Sequence, residues 1–431
     1  MSGGQVVMLG NQDVNYSLIS AVREGRLERA RELINSFGLS YSQAWSEGYV
    51  LLCDAVKNKH AAVAKLLLTS GSKVNIKNRN PSDTPLHFAV INGDIEIVEM
   101  ILDKGANIDA ENEFVEMGCL QTVQHLLKYG AYVNCVCTSA WKQGYTPLHF
   151  AVEKGSKEVI TLLLNHGACI HSLTLKEGYT PLHFASEQGN EEAVKLFLNR
   201  GADINASTKG NLTPLHIATK TGRKTVVKLL LQHGAKVDNQ DKDGKTILHL
   251  AVETGYLTIV EDVLKYCPDI NNQSNRSSLK IAVHGYGEKY KKIVEALLEY
   301  GFIANPEDAI DPKLLHAAIE KGYLKIVGDL LKYGANVNTL HNSTFKEGFT
   351  PLHSAAKNKQ EEVAKLLISY EADINAQDKT GKTPIFYAIE NADLKITKLL
   401  LTSRANVKDS SELLNIAVKK ECIEIVEALL Q

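Results

Sequence analysis

Half of the fourteen histidines in this chain, His87, His149, His183, His216, His249, His316 and His353, directly follow a leucine in one recurring local pattern. Histidine near neutral pH can bind metal or carry protons. A zinc site needs thiolates or a close i,i+4 histidine pair. Successive members of this set stand a whole repeat apart, and their neighbours supply neither. The close cysteine pair Cys135-x-Cys137 has His125 and His149 on either side. A lone pair of this kind in a loop is weak ground for a site, and no metal is expected.

Nucleophilic and phosphate chemistry find no better footing. The chain has no Gly-x-Ser-x-Gly, no His-Glu-x-x-His and no Gly-x-x-x-x-Gly-Lys-Ser/Thr. Gly244-Lys245-Thr246 and Gly381-Lys382-Thr383 resemble the end of a phosphate loop but lack the earlier glycine at the required distance. No catalytic residue and no cofactor are expected, and the chain reads as non-enzymatic.

What remains is a set of lysines and aromatics suited to recognition. Lys142, Lys176, Lys209, Lys242, Lys346 and Lys379 fall at corresponding places, with Trp141, Tyr145, Tyr179, Phe345 and Phe349 beside them. Aromatics supply many interface anchors, and lysines steer acidic partners. A second varying set precedes the glycine that closes each first helix and includes Glu153/Lys154, Glu320/Lys321 and Lys357/Asn358. The expected partner-binding residues are Trp141, Lys142, Tyr145, Lys154, Lys176, Tyr179, Lys209, Lys242, Lys321, Phe345, Lys346 and Phe349. Glu177, Asp243 and Glu347 partly neutralise the row.

The elements that position these residues are visible in Gly144-Tyr145-Thr146-Pro147-Leu148-His149-Phe150-Ala151-Val152-Glu153-Lys154-Gly155. Thr146 is placed to cap a short helix, and Pro147 sits where its missing N–H costs nothing. Leu148, Ala151 and Val152 share one face, and Gly155 suits the left-handed turn that ends the helix. Val159, Leu162 and Leu163 form the apolar face of a second helix, closed by Gly167. Nearly the whole chain copies this unit. The closing position falls at Gly38, Gly71, Gly105, Gly130, Gly167, Gly201, Gly234, Cys267, Gly301, Gly334, Glu371 and Arg404, three of which have lost the glycine.

The Thr-Pro-Leu-His-x-Ala signature and a period near 33 residues resemble the ankyrin repeat. The resemblance implies an all-α repeat solenoid of about thirteen helix-turn-helix units with β-hairpin loops and a concave surface for recognition. It also implies that the repeated histidines form a structural hydrogen-bond ladder. Leu86, Leu148, Leu182, Leu215, Leu248, Leu315 and Leu352, with alanines three residues on, read as core.

The array is expected to span 15–431 after an extension at 1–14. A polar cap repeat lies at 15–39, a shortened repeat at 111–134, an irregular one at 279–304 and an incomplete last one at 413–431. The step from Gly105 to Gly130 removes a hairpin and the start of a first helix, which predicts a local bend. Longer loops are expected around 135–142 and 339–346. Gly285-Tyr286-Gly287, with Tyr290, should disturb a helix-to-helix turn, and Pro306 follows. The apolar Ile423, Ile425, Val426, Leu429 and Leu430 suggest that a longer protein continues past this point or that an interface lies there.

The 48 basic and 50 acidic residues leave a formal net charge of −2, so nucleic acid is not an expected partner. No apolar run reaches a membrane span, and Ser2 excludes N-myristoylation. Seven scattered cysteines read as reduced thiols of a cytoplasmic protein. The near-perfect units beside decayed ones resemble arrays of intracellular bacterial symbionts, parasitoid insects and poxviruses, which commonly seize host proteins. The resulting expectation is a scaffold that binds a protein partner through a concave groove and its hairpin tips, as a monomer. The alternative is the regulatory or substrate-recruiting region of a larger enzyme.

Overall fold

Thr180 shows how each unit begins. Its hydroxyl accepts the His183 N–H at 3.4 Å, meeting one of the donors that a first helical turn leaves unpaired, and Pro181 takes the first helical position. The helix Pro181–Gln188 ends at Gly189, whose φ of 78° turns the chain back. Asn190 then accepts the Ala193 N–H at 3.0 Å and starts the helix Glu191–Asn199. Asp94, Ser156 and Asp393 start other second helices in the same way.

The computed structural model describes residues 11–37, 51–75, 84–108, 120–137, 142–267, 269–304, 306–341, 348–407 and 410–430. It divides into two units, Met1–Ala235 and Lys236–Gln431. Among the described residues all regular secondary structure is helical. The tips are closed by backbone bonds, such as Thr174 N–H to Tyr179 O at 2.9 Å and Asp378 N–H to Lys382 O at 2.9 Å, but they form no strand.

In the first unit the pairs Leu51–Lys57 with Ala61–Thr69, Pro85–Asn92 with Ile95–Asp103, and Pro147–Glu153 with Lys157–Asn165 are followed by Pro181–Gln188 with Glu191–Asn199 and Pro214–Lys220 with Lys224–Gln232. First helices pack on first helices and second helices on second helices, giving two layers. The predicted leucines Leu86, Leu148, Leu182 and Leu215 lie buried between them, as do Ala89, Ala151, Ala185 and Ala218. Each buried leucine contributes about 1.5–3 kcal/mol, and the alanines let the helices approach. In the polar cap region, Asn11–Arg23 pairs with Leu27–Phe37, whose Arg29, Arg31 and Glu32 face solvent.

The shortened repeat contributes the helix Leu120–Lys128, which packs between Ile95–Asp103 and Lys157–Asn165 and keeps the second layer continuous. The expected bend at 111–118 lies outside the described residues.

The second unit repeats the plan from Ile247–Thr254 with Leu257–Lys265 to Ser410–Lys419 with Ile423–Leu430. Its repeat around Gly285 departs from the plan. Gly285 adopts an extended φ of −62° and ψ of 151° instead of the left-handed turn. The Tyr290 ring fills the space beside it, and the tyrosine hydroxyl donates to Glu253 O at 3.1 Å. Tyr286 is left 88% exposed, and the second helix is lengthened to Glu288–Glu299.

Two of the positions that lost glycine keep its conformation. Glu371 and Arg404 have φ of 64° and 69°. Lys59, Lys359, Ala392 and Glu421 do the same at the first-helix turn. At these six positions the left-handed turn is kept without glycine, at the steric cost a side chain brings there.

Candidate protein-binding surface

The histidine of each unit ties the hairpin to the helix. In the first unit His149 Nδ1 accepts the Thr146 N–H at 3.1 Å, so Nε2 carries the proton and donates to Tyr179 O of the next repeat at 3.2 Å. His183 repeats this with Thr180 and Leu212 O, each at 3.1 Å. Burial lowers both pKa values to about 4, so the rings are neutral. In the second unit His353 joins Thr350 to Lys382 O, at 3.1 and 3.0 Å. These contacts are the ladder the resemblance implied. Among the described residues no three His, Cys, Asp or Glu side chains gather as a metal site would require, and no helix is long and apolar enough to cross a membrane.

Backbone bonds also join successive tips. Leu175 N–H donates to Gln143 O and Lys209 N–H to Glu177 O, each at 3.0 Å. Gly144 permits the first of these: a Cβ there would lie 2.4 Å from Leu175 N. A further clamp comes from asparagines that the repeat reading did not single out. Asn75 donates to Gly105 O at 2.9 Å and accepts the Asn107 N–H at 2.7 Å, and Asn134 does the same with Gly167 and Cys169. Their regular place four residues after each closing glycine was the available signal.

On this frame the expected recognition residues sort into exposed and packed sets. In the first unit Lys154 is exposed, and Lys176 is exposed beside Glu177 at 3.6 Å. Lys142 pairs with Glu153 at 3.0 Å, its ammonium 4.7 Å from the Phe150 ring centre. Lys209 donates its ammonium to Leu175 O. Tyr145 is half-buried among His149, Phe150 and Phe184, with ring centres 5.6, 5.3 and 5.3 Å away, and burial pushes its pKa up to about 12. Tyr179 packs similarly, 5.5 Å from His183 and 5.3 Å from Phe184.

In the second unit Lys242 is exposed. Lys321 donates to Val283 O at 2.6 Å and to Gly285 O, over the Tyr286 ring, and burial lowers its pKa. Phe349 is 4% exposed and lies 4.9 Å from the Tyr387 ring. Trp141, Phe345 and Lys346 lie outside the described residues.

Lys382, Phe386 and Tyr387 were not expected, because Pro384-Ile385-Phe386 departs from the Pro-Leu-His pattern. Lys357 stands 5.2 and 5.4 Å over the Phe349 and Tyr387 rings, and Lys382 stands 3.9 Å over Phe386. Tyr387 OH donates to Asp378 at 2.5 Å.

A family profile described as ankyrin repeats in three copies matches residues 18–112, 114–208, 206–275, 279–378, 315–411 and 352–431. An ankyrin repeat protein of Fowlpox virus is 36% identical over 164 residues, covering 36% of this chain and 48% of its own length. One from Rickettsia felis is 38% identical over 95 residues, covering 20% and 40%. The mouse 2-5A-dependent ribonuclease is 46% identical over 57 residues, covering 13% and 7%. The chain thus spans less than half the length of these curated relatives.

Proposed function

The chain belongs to the ankyrin repeat family, a protein-interaction module, and from that premise we propose that it is a non-enzymatic scaffold that holds a partner protein on the surface made by its hairpin tips and first-helix ends. The observation that carries this is the division of labour within each repeat. Thr, Leu, His and Ala of the signature are buried in the frame, while Lys154, Lys176 and Lys242 vary in context and face solvent. Within each unit such a surface repeats along the stacked helix pairs, which suits an extended partner segment. The likeness to viral and rickettsial repeat proteins supports a role as the targeting part of a host-directed effector, acting in the cytosol of the host.

The packed aromatics set the terms of the test. Tyr145 and Tyr179 hold hairpins in place, so replacing them would disturb the frame as well as the surface. The informative variant is Lys154→Glu, Lys176→Glu and Lys242→Glu together, compared with Lys228→Glu and Lys398→Glu on the second helices. Affinity capture from a eukaryotic lysate, read by mass spectrometry, should yield a protein retained by the wild type and the second-helix variant and lost by the tip variant. A captured set identical for all three would remove the assignment of this surface.

A second reading, that the chain is the recruiting region of a larger enzyme, draws support from the ribonuclease, whose matching stretch is a small part of a much longer chain. Sequencing the transcript past Gln431 and assaying the full product for hydrolytic activity would decide it.

A further inference from the structure

We propose that Lys357 and Lys382, with Lys419 and Lys420 in the following repeat, form a subsite for an acidic peptide segment of the partner. This rests on the scaffold reading and adds the chemistry of what is bound.

In three other repeats a tip lysine or histidine meets a glutamate near the end of the first helix. Lys142 meets Glu153 at 3.0 Å in the first unit. In the second unit Lys245 meets Glu253 at 2.7 Å and His341 lies 3.3 Å from Glu320. The repeat at Thr350 breaks this pattern, because the residue in the register of Glu153 and Glu253 is Lys357. The next repeat breaks it by geometry. Lys382 and Glu390 keep the eight-residue spacing of Lys245 and Glu253, yet the Lys382 ammonium sits on the Phe386 ring at 3.9 Å. Phe386 replaces the usual histidine, and its π face draws the cation away from the carboxylate.

Two ammonium groups are therefore held on an aromatic floor of Phe349, Phe386 and Tyr387, each less than 9% exposed. Neither forms an ion pair among the described residues. Asp378, in the hairpin that carries Lys382, is already saturated: it accepts from Thr380 N, Thr380 Oγ1, Lys382 N and Tyr387 OH. It is buried, and it serves to close its own hairpin. Lys419 and Lys420, both exposed, extend the positive charge into the helix Ser410–Lys419, which packs on Pro384–Glu390. Beside these four lysines the same register carries Glu390, and Glu421 follows Lys420 in the chain.

A lysine held on a ring has lost part of its side-chain freedom before a ligand arrives, so a carboxylate that meets it gives up less entropy on binding. The complementary ligand is an extended segment with carboxylates near Lys357 and Lys382. With a net charge of −2, the chain as a whole does not attract polyanions, so a cluster of four lysines suits a short acidic segment better than a long polyanion.

The test is selection of a random peptide library displayed on phage against the full chain. Selected peptides are then synthesised with a fluorescent label and titrated against the wild type, Lys357→Glu/Lys382→Glu and Lys154→Glu/Lys176→Glu. Circular dichroism and melting confirm that each variant is folded. The proposal expects peptides rich in Asp and Glu, binding weakened about tenfold or more by the first variant and little by the second, and affinity that falls with salt. Selected peptides without acidic residues, or acidic ones indifferent to Lys357→Glu/Lys382→Glu, would overturn the subsite while leaving the scaffold reading to the capture experiment. A single-stranded oligonucleotide that competes as strongly as the selected peptide would overturn it too, by showing an unselective polyanion patch. A library that yields no binder also counts against it.

Discussion

His149 donates its Nε2–H to the carbonyl oxygen of Tyr179 across a repeat boundary at 3.2 Å, and its other nitrogen accepts the N–H of Thr146 at 3.1 Å. One neutral ring thus closes its own hairpin and holds the next. His183 does the same for Leu212. The repeated histidine is a fastener between units, and its protonation state is part of the stability of the stack.

Stability should therefore depend on acid. Burial holds the folded pKa values of His149 and His183 at about 4, against an ordinary 6.5, so the unfolded chain takes up these protons first as pH falls. The contribution of the neutral rings is complete above about pH 6.5 and is lost as pH falls toward 4. A shift of this size corresponds to about 3 kcal/mol for each ring. Urea midpoints followed from pH 7.5 to 4.5 should drop in the wild type. The double variant His149→Ala/His183→Ala should be weaker at pH 7.5 but change less with pH. An equally steep dependence in the variant would remove the histidines as its source.

The hairpin glycine should be less replaceable than the helix-closing one. At Gly144 a Cβ would lie 2.4 Å from Leu175 N, and φ is 85°. At Gly105 φ is 79° but nothing lies within 4 Å. Gly144→Ala should cost about 2–3 kcal/mol and Gly105→Ala about 1 kcal/mol, measured by chemical unfolding. Equal costs would show that only the backbone angle matters.

Conversely, glycine should improve turns now held by other residues. Ala392 has φ of 55° and Arg404 has φ of 69°. Ala392→Gly and Arg404→Gly should each stabilise by about 0.5–1 kcal/mol, since relief of the left-handed strain exceeds the added freedom of the unfolded chain. A lower midpoint in both variants would contradict this.

A core leucine should behave as the packing implies. Leu182 is 1% exposed, and Leu182→Ala should cost about 2–5 kcal/mol in the same assay. A value below about 1 kcal/mol would mean that neighbouring repeats collapse into the space.

The period and the signature were enough to find the helix pairs, the Thr caps, the buried Leu and Ala positions and the role of the histidines, because each repeats in register. Side-chain direction was less legible. Tyr145, Tyr179 and Phe349 stand at tips, where the sequence suggests exposure, yet Tyr179 packs on Phe184 of its own repeat while Tyr145 and Phe349 pack on Phe184 and Tyr387 of the next repeat's first helix. Glu371 and Arg404 have lost the glycine, yet their backbones keep the left-handed turn, which the sequence does not reveal. Lys382 was hidden because its partner is set by Phe386, a departure from the pattern that a repeat alignment discounts.

The most direct test of the scaffold is hydrogen–deuterium exchange of the whole chain with and without its captured partner. The account predicts slowed exchange in peptides covering the tips at 142–146, 174–180, 240–246 and 378–383, with little change in the second helices Glu191–Asn199 and Leu394–Thr402. Protection confined to those second helices, with the tips unchanged, would contradict it.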